Sequence, residues 1–126
     1  MKKVVLFCIA TCLVLTACSS PTSTPYALEP PSTPSTNYQV VGSTKNTYMV
    51  VIDPESSTDR AGLEAISRYL CPNFGARCMV WFWDDINKAD TSFPLDPDKE
   101  KALIAYYYTD PAAYNGTLLV YALGDQ

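Results

Sequence analysis

Apolar positions after residue 46 alternate between strand-like and helix-like spacing. Residues 47–52 form a β-branched and aromatic run that is closed by an Asp-Pro pair, which predicts a buried strand. Leu63, Ile66 and Leu70 then recur at helical spacing, so we expect one face of a helix to pack on this strand. Pro72 should end the helix, because proline cannot continue it.

The start of this helix carries polar residues that suit a helix N-terminus. Ser56 or Ser57 is expected to cap it, with Asp59 in the first turn, where a negative charge complements the helix dipole.

Residues 78–83 are the most apolar stretch of this part of the chain. Strand geometry points Trp81 and Trp83 to one side and Phe82 to the other. Because both sides are apolar, we expect this strand to be central in its sheet.

Two more strands are predicted at residues 102–109 and 117–123. The intervening residues 110–116 are expected to form one helical turn, with a hairpin turn at Asn115-Gly116 as the alternative.

These elements predict an α+β domain over residues 46–126. The expected architecture is a two-layer sandwich, in which one main helix packs on a mixed sheet of about four strands in the order β-α-β-β-β. The crossover should make the first two strands parallel. A single helix covers only one face of the sheet, so residues 84–99 either cover the other face or leave it open to a partner.

The N-terminus has a separate pattern. Lys2 and Lys3 precede an apolar run at residues 4–14, which is typical of a signal peptide and shorter than the roughly 20 residues of a membrane-spanning helix. The following Leu15-Thr16-Ala17-Cys18 resembles the lipobox of bacterial lipoproteins. This resemblance implies that residues 1–17 are removed and that Cys18 carries a lipid anchor. The protein would then sit on the extracytoplasmic face of the bacterial cell membrane; an ordinary secretory signal is the alternative.

Residues 18–45 are rich in Pro, Ser and Thr and lack apolar periodicity. Such a segment cannot bury enough apolar surface to offset its ordering entropy, so we predict a disordered tether. Its composition also suits O-glycosylation.

Charge and composition exclude several classes of function. The chain has 9 Lys and Arg, 13 Asp and Glu and no His, for a net charge of −4, and loss of Lys2 and Lys3 with the signal would make it −6. An acidic chain without a basic stripe is a poor nucleic-acid binder. Without His there is no Ser-His-Asp or Cys-His system and no His-ligated zinc. No glycine-rich phosphate loop is visible, and we expect no cofactor.

Cys71 and Cys78 are the only cysteines in the predicted domain. Their spacing is not Cys-x-x-Cys, so we expect a structural disulfide in an oxidising compartment rather than a redox pair.

Several carboxylates offer candidate chemistry. Asp53 and either Asp84 or Asp85 would follow neighbouring parallel strands, where a carboxylate pair flanks a glycosidic bond in some enzymes. Acidic residues also simply end strands, which is the alternative. The carboxylates of residues 96–100 do not match an EF-hand, so a helix start with Asp96 as cap is expected there instead of a calcium loop.

Aromatic residues crowd into the second half of the chain. We expect Trp83, Tyr106 and Tyr108 to line an exposed sheet face, since Tyr and Trp favour interfaces and also stack on sugars. Some of the others are expected to be core; the alternative is that most of these aromatic residues belong to the core and to cross-strand packing.

Residues 70–121 are also similar to small bacterial proteins of no assigned function, through Leu70-Cys71, residues 82–85 and residues 91–94. This resemblance implies one domain and supplies no activity. The favoured function is a non-enzymatic binding module for an envelope protein or a cell-wall glycan. The alternatives are a carboxylate enzyme acting on cell-wall carbohydrate and an inhibitor or immunity-type lipoprotein.

Overall fold

The computed structural model describes residues 32–124, which form one five-stranded sheet with a long helix on one face. The strands are β1 (Tyr38–Thr44), β2 (Thr47–Ile52), β3 (Met79–Trp83), β4 (Ala105–Asp110) and β5 (Asn115–Val120). The α-helices are α1 (Arg60–Leu70) and α2 (Pro97–Glu100), and 3₁₀ turns lie at Pro54–Ser56 and Tyr121–Leu123.

The strands lie in the sheet in chain order, from β1 to β5. Only β2 and β3 are parallel, and α1 connects them; the other neighbours are antiparallel. The predicted α+β class is therefore confirmed, with five strands instead of about four.

The additional strand is β1. The sequence interpretation placed residues 38–44 in the tether, and for these residues it was wrong. β1 pairs with β2 through a two-residue turn in which Lys45 has a left-handed φ of 47°. Most of its side chains are exposed or half-buried, so its apolar pattern is weak. Pairing to β2 orders this strand, and a bulge between Val40 and Gly42 shifts its register.

Asp59 caps α1, so the expected cap at Ser56 or Ser57 was wrong. The Asp59 carboxylate accepts the Gly62 N–H at 3.1 Å. Ser56 instead lies in the 3₁₀ turn that precedes the helix, where its N–H donates to Asp53 O. Ser57 caps the end of that turn. The helix ends at Leu70, as the following cysteine and proline predict.

Cys71 and Cys78 form the predicted disulfide, with 5.7 Å between their Cα atoms. It joins the end of α1 to the residue before β3. Thr109 Oγ1 accepts the Cys78 N–H at 2.8 Å and so attaches the same point to β4.

The sheet face toward α1 carries the larger core. Its buried residues are Val50, Ile52, Leu63, Ile66, Cys71, Cys78, Val80, Phe82, Ala105, Tyr107, Leu118 and Val120. A second, smaller core on the opposite face contains Met49, Trp83, Ala89 and Leu103.

Residues 84–99 cover this opposite face over β1, β2 and the end of β3. The Trp83 indole N–H donates to Lys99 O at 2.9 Å, and the Lys99 ammonium donates to Ala89 O at 3.0 Å. The loop also approaches β1 closely, since a Cβ at Gly42 would overlap the Thr91 carbonyl. The cover is therefore held at its end by Lys99, and it approaches β1 in its middle, at Thr91.

Two local predictions in the second half have clear outcomes. Asp96 caps α2 by accepting the Asp98 N–H at 2.9 Å, as expected for a helix start. β4 and β5 form a hairpin whose turn is residues 111–114, with Tyr114 at a φ of 50°. The expected helical turn over residues 110–116 was therefore wrong, since Asp110 lies in β4 and only a four-residue turn joins the strands. Because residues 115 and 116 lie within β5, the alternative turn at that pair was wrong.

Candidate functional site

The predicted anchor lies outside the described residues. Cys18, the lipobox and residues 19–31 of the tether precede residue 32. Between residues 32 and 124, none of the helices has the length and apolar character needed to span a bilayer.

The sheet face opposite α1 is open over parts of β3, β4 and β5. We call this surface the aromatic face; all its members are half-buried. Two cross-strand rows form it: Trp81, Tyr106 and Leu119, and beside them Met79, Tyr108 and Thr117.

The three rings of the aromatic face stack on one another. The Trp81 and Tyr106 ring centroids are 4.4 Å apart at an interplanar angle of 34°, and those of Tyr106 and Tyr108 are 5.5 Å apart at 24°. Side chains on a strand stand roughly perpendicular to the sheet, so rings that cover each other's faces present their edges to solvent. The surface therefore offers ring edges and phenol hydroxyls more than flat ring faces.

Trp83 does not belong to this surface, which corrects the sequence prediction. It points to the predicted side of β3 but is 0% exposed beneath residues 84–99. Trp81, two residues earlier on the same side, takes its place. The alternation along β3 identifies both tryptophans, but it does not show which of them the loop covers.

Tyr106 has two tyrosine neighbours, Tyr108 on the aromatic face and Tyr121 outside it. Burial is the main cause that raises the pKa of Tyr106, and the neighbouring Tyr108 and Tyr121 raise it further. The Tyr106 hydroxyl is therefore neutral at physiological pH. In addition, the buried Trp81 indole nitrogen has no hydrogen-bond partner among the described residues.

A shallow, open depression adjoins the aromatic face at Tyr121. Its volume is about 600 Å³, and its other lining residues are Pro97, Glu100, Lys101 and Leu103. Two carboxylates flank the surface that the aromatic face and this depression form together. Glu100 lies in the depression, and Asp110 lies on the same side of β4 as Tyr106 and Tyr108. Sequence reasoning missed Trp81, Tyr121 and Asp110; for Asp110 the available signal was its even spacing from the two tyrosines.

The three predicted carboxylates follow the carboxyl ends of β2 and β3, which is the end of the sheet opposite Asp110. Asp53 and Asp85 each follow by two residues the paired positions Val51 and Trp83 of the parallel strands, as expected. Asp53 is exposed, and Asp84 and Asp85 are half-buried. On β3 the aromatic face extends only to Trp81, so these carboxylates lie outside it.

Asp85 organises the loop that follows it. Its carboxylate accepts the Asn87 N–H at 2.9 Å and lies 3.7 Å from the Lys88 ammonium. The Asn87 N–H is the main cause that holds the pKa of Asp85 below its usual value, with a smaller contribution from Lys88. A general acid needs the opposite shift. Within residues 32–124, no group of three or more Cys, Asp or Glu side chains is arranged to hold a metal ion.

Comparison of this chain with protein families, with curated proteins and with solved structures finds no match. The geometry of the aromatic face and its rim is therefore the basis for assigning a function.

Proposed function

We propose that the protein is a lipid-anchored, extracytoplasmic binding module that contacts its partner through the aromatic face. The observation that carries this proposal is the stacked row of Trp81, Tyr106 and Tyr108, which is half-exposed on a sheet that is covered elsewhere. Tyr and Trp supply large contact area at interfaces and also offer a polar group to the partner.

The ring geometry favours an envelope protein over a cell-wall glycan as the partner. Sugars stack on exposed ring faces, whereas the faces in this row are turned toward neighbouring rings. Ring edges and hydroxyls suit the mixed apolar and polar surface of a protein.

The lipid anchor remains part of the proposal. The resemblance of residues 15–18 to a lipobox supports it, and β1 shortens the proposed tether to residues 18–37. Cys18→Ser should move the protein from the membrane fraction to the soluble fraction of the producing cell. Unchanged membrane association would contradict the anchor.

An inhibitor or immunity-type lipoprotein is the second candidate. An exposed aromatic patch beside a shallow, open depression favours it, because such a surface can occlude a partner. An enzyme acting on carbohydrate has less support, since Asp85 is held in its ionised form by loop contacts.

The binding surface is tested by capture of partners from an envelope extract of the producing organism. The double variant Tyr106→Ala, Tyr108→Ala should lose at least about tenfold in capture, since interface aromatics often contribute 2 kcal/mol or more. The matched control is Tyr69→Ala, which removes a tyrosine that is 41% exposed on α1. Equal capture by both variants, each shown by circular dichroism to be folded, would refute the proposal.

A further inference from the structure

We propose that the aromatic face receives a basic segment of its protein partner. An arginine or lysine side chain would lie across the edges of Tyr106 and Tyr108, with its charged group at Asp110. This inference rests on the proposed function, because it names the chemistry of the partner at the same surface.

Charge complementarity is the first argument. The strands β3, β4 and β5 contain no lysine or arginine, and Asp110 is their one charged residue. It follows Tyr108 by two residues and therefore lies on the same side of β4. Glu100 brings a second carboxylate at the Tyr121 end, whereas Lys101 is 3.2 Å from Asp98, which offsets its charge.

The hydroxyl groups supply the second argument. Tyr106, Tyr108 and Tyr121 are close enough that the latter two raise the pKa of Tyr106, which also keeps its hydroxyl protonated. Neutral phenol oxygens accept hydrogen bonds from ammonium and guanidinium groups. The long aliphatic stems of lysine and arginine pack on apolar surface while their charged ends remain hydrated.

The size of the surface favours a segment over a second copy of the chain. Three strands about 4.8 Å apart, over about four residues of 3.3 Å each, present roughly 200 Å². A stable interface buries about 800 Å² on each partner. The open area therefore fits a few side chains of an extended segment, and it falls short of what a dimer needs.

Calorimetric titration of the full chain with hexa-arginine tests the proposal, with hexaglutamate and soluble cell-wall glycan fragments as comparison probes. We expect hexa-arginine to bind, and we expect hexaglutamate and the glycan fragments not to bind. Asp110→Asn should weaken this binding about three- to fivefold, the effect of one partly exposed ion pair. Asparagine retains the acceptor for the Ala112 N–H, which Asp110 Oδ1 accepts at 2.9 Å, so the hairpin turn is preserved.

Glu55→Gln is the matched control, since it removes an exposed carboxylate from the 3₁₀ turn before α1. If it weakens binding as much as Asp110→Asn, the attraction is nonspecific and the proposal fails. Binding of glycan or hexaglutamate without hexa-arginine also overturns it, as does dimerisation through this face in analytical ultracentrifugation. The proposed function survives any of these results if Tyr106→Ala, Tyr108→Ala still weakens partner capture at least about tenfold and Tyr69→Ala does not.

Discussion

The hydroxyl of Tyr107 is buried in the larger core and has no hydrogen-bond partner among the described residues. The residue is 1% exposed and lies on the α1 side of β4. Burial raises the pKa of this hydroxyl, and the nearby Arg68 and Glu64 have smaller, opposing effects. A buried polar group without a partner costs roughly 1–3 kcal/mol. We therefore expect Tyr107→Phe to stabilise the protein.

The expected gain is about 1 kcal/mol, because phenylalanine removes the unsatisfied group and leaves the ring in place. For a domain of this size, that gain corresponds to a rise of about 4–8 °C in Tm. Thermal and urea unfolding, followed by circular dichroism with the disulfide intact, measure it. A loss of more than about 1 kcal/mol would show that the hydroxyl makes a hydrogen bond, and it would refute the reasoning.

Gly116 provides a second test of the same contact. A Cβ at this position would overlap the Tyr107 hydroxyl, so Gly116→Ala should cost about 1–3 kcal/mol through overpacking. The cost should fall only in part in the Tyr107→Phe background, because the nearest atom is gone but the ring carbons Cζ and Cε2 would still overlap the added Cβ. Equal costs in both backgrounds would mean that the hydroxyl does not limit the space at Gly116.

Three further predictions concern the disulfide and the loop of residues 84–99. Replacing Cys71 and Cys78 by serine should cost about 2.5 kcal/mol in urea unfolding through the entropy of the eight-residue loop, and an unchanged midpoint would contradict this. Trp83→Phe should lower the free energy of unfolding by about 2 kcal/mol, because it loses the hydrogen bond to Lys99 O and leaves a void; thermal unfolding measures this. Trp81→Phe should cost less, because Trp81 is only half-buried, and equal losses would contradict this. The Asp96 N–H is the main cause that holds the pKa of Asp90 below 3.8, so this carboxylate should stabilise the fold above pH 3.8 and lose that effect as the pH falls further. Asp90→Asn should therefore show a shallower loss of stability in acid, and equal acid slopes for variant and wild type would refute this.

Much of the fold follows from local patterns. The apolar spacing of Leu63, Ile66 and Leu70 places one face of α1 on the sheet, and all three contribute to the larger core. Alternation along β3 correctly separates Trp81 and Trp83 from Phe82. These predictions succeed because side-chain direction in helices and strands depends only on the local backbone.

The candidate site could be predicted only in part. Tyr106 and Tyr108 were identified from the many aromatic residues in the second half of the chain and from their strand spacing. Trp83, however, was expected at the surface in the place that Trp81 occupies. Both tryptophans have the same local pattern. Their difference arises from a loop that is held to Trp83 by Lys99, a residue sixteen positions away.

The sequence by itself determined the mixed α+β class, the end of α1 and the pairing of Cys71 with Cys78, because each depends on short-range spacing or on the lack of other partners. Tertiary structure alone decided that β1 joins the sheet and that residues 84–99 cover only part of its second face. An edge strand is defined by hydrogen bonds to its neighbour, and a loop's position by contacts far along the chain; neither leaves a local pattern. The open aromatic face is the consequence of that incomplete cover.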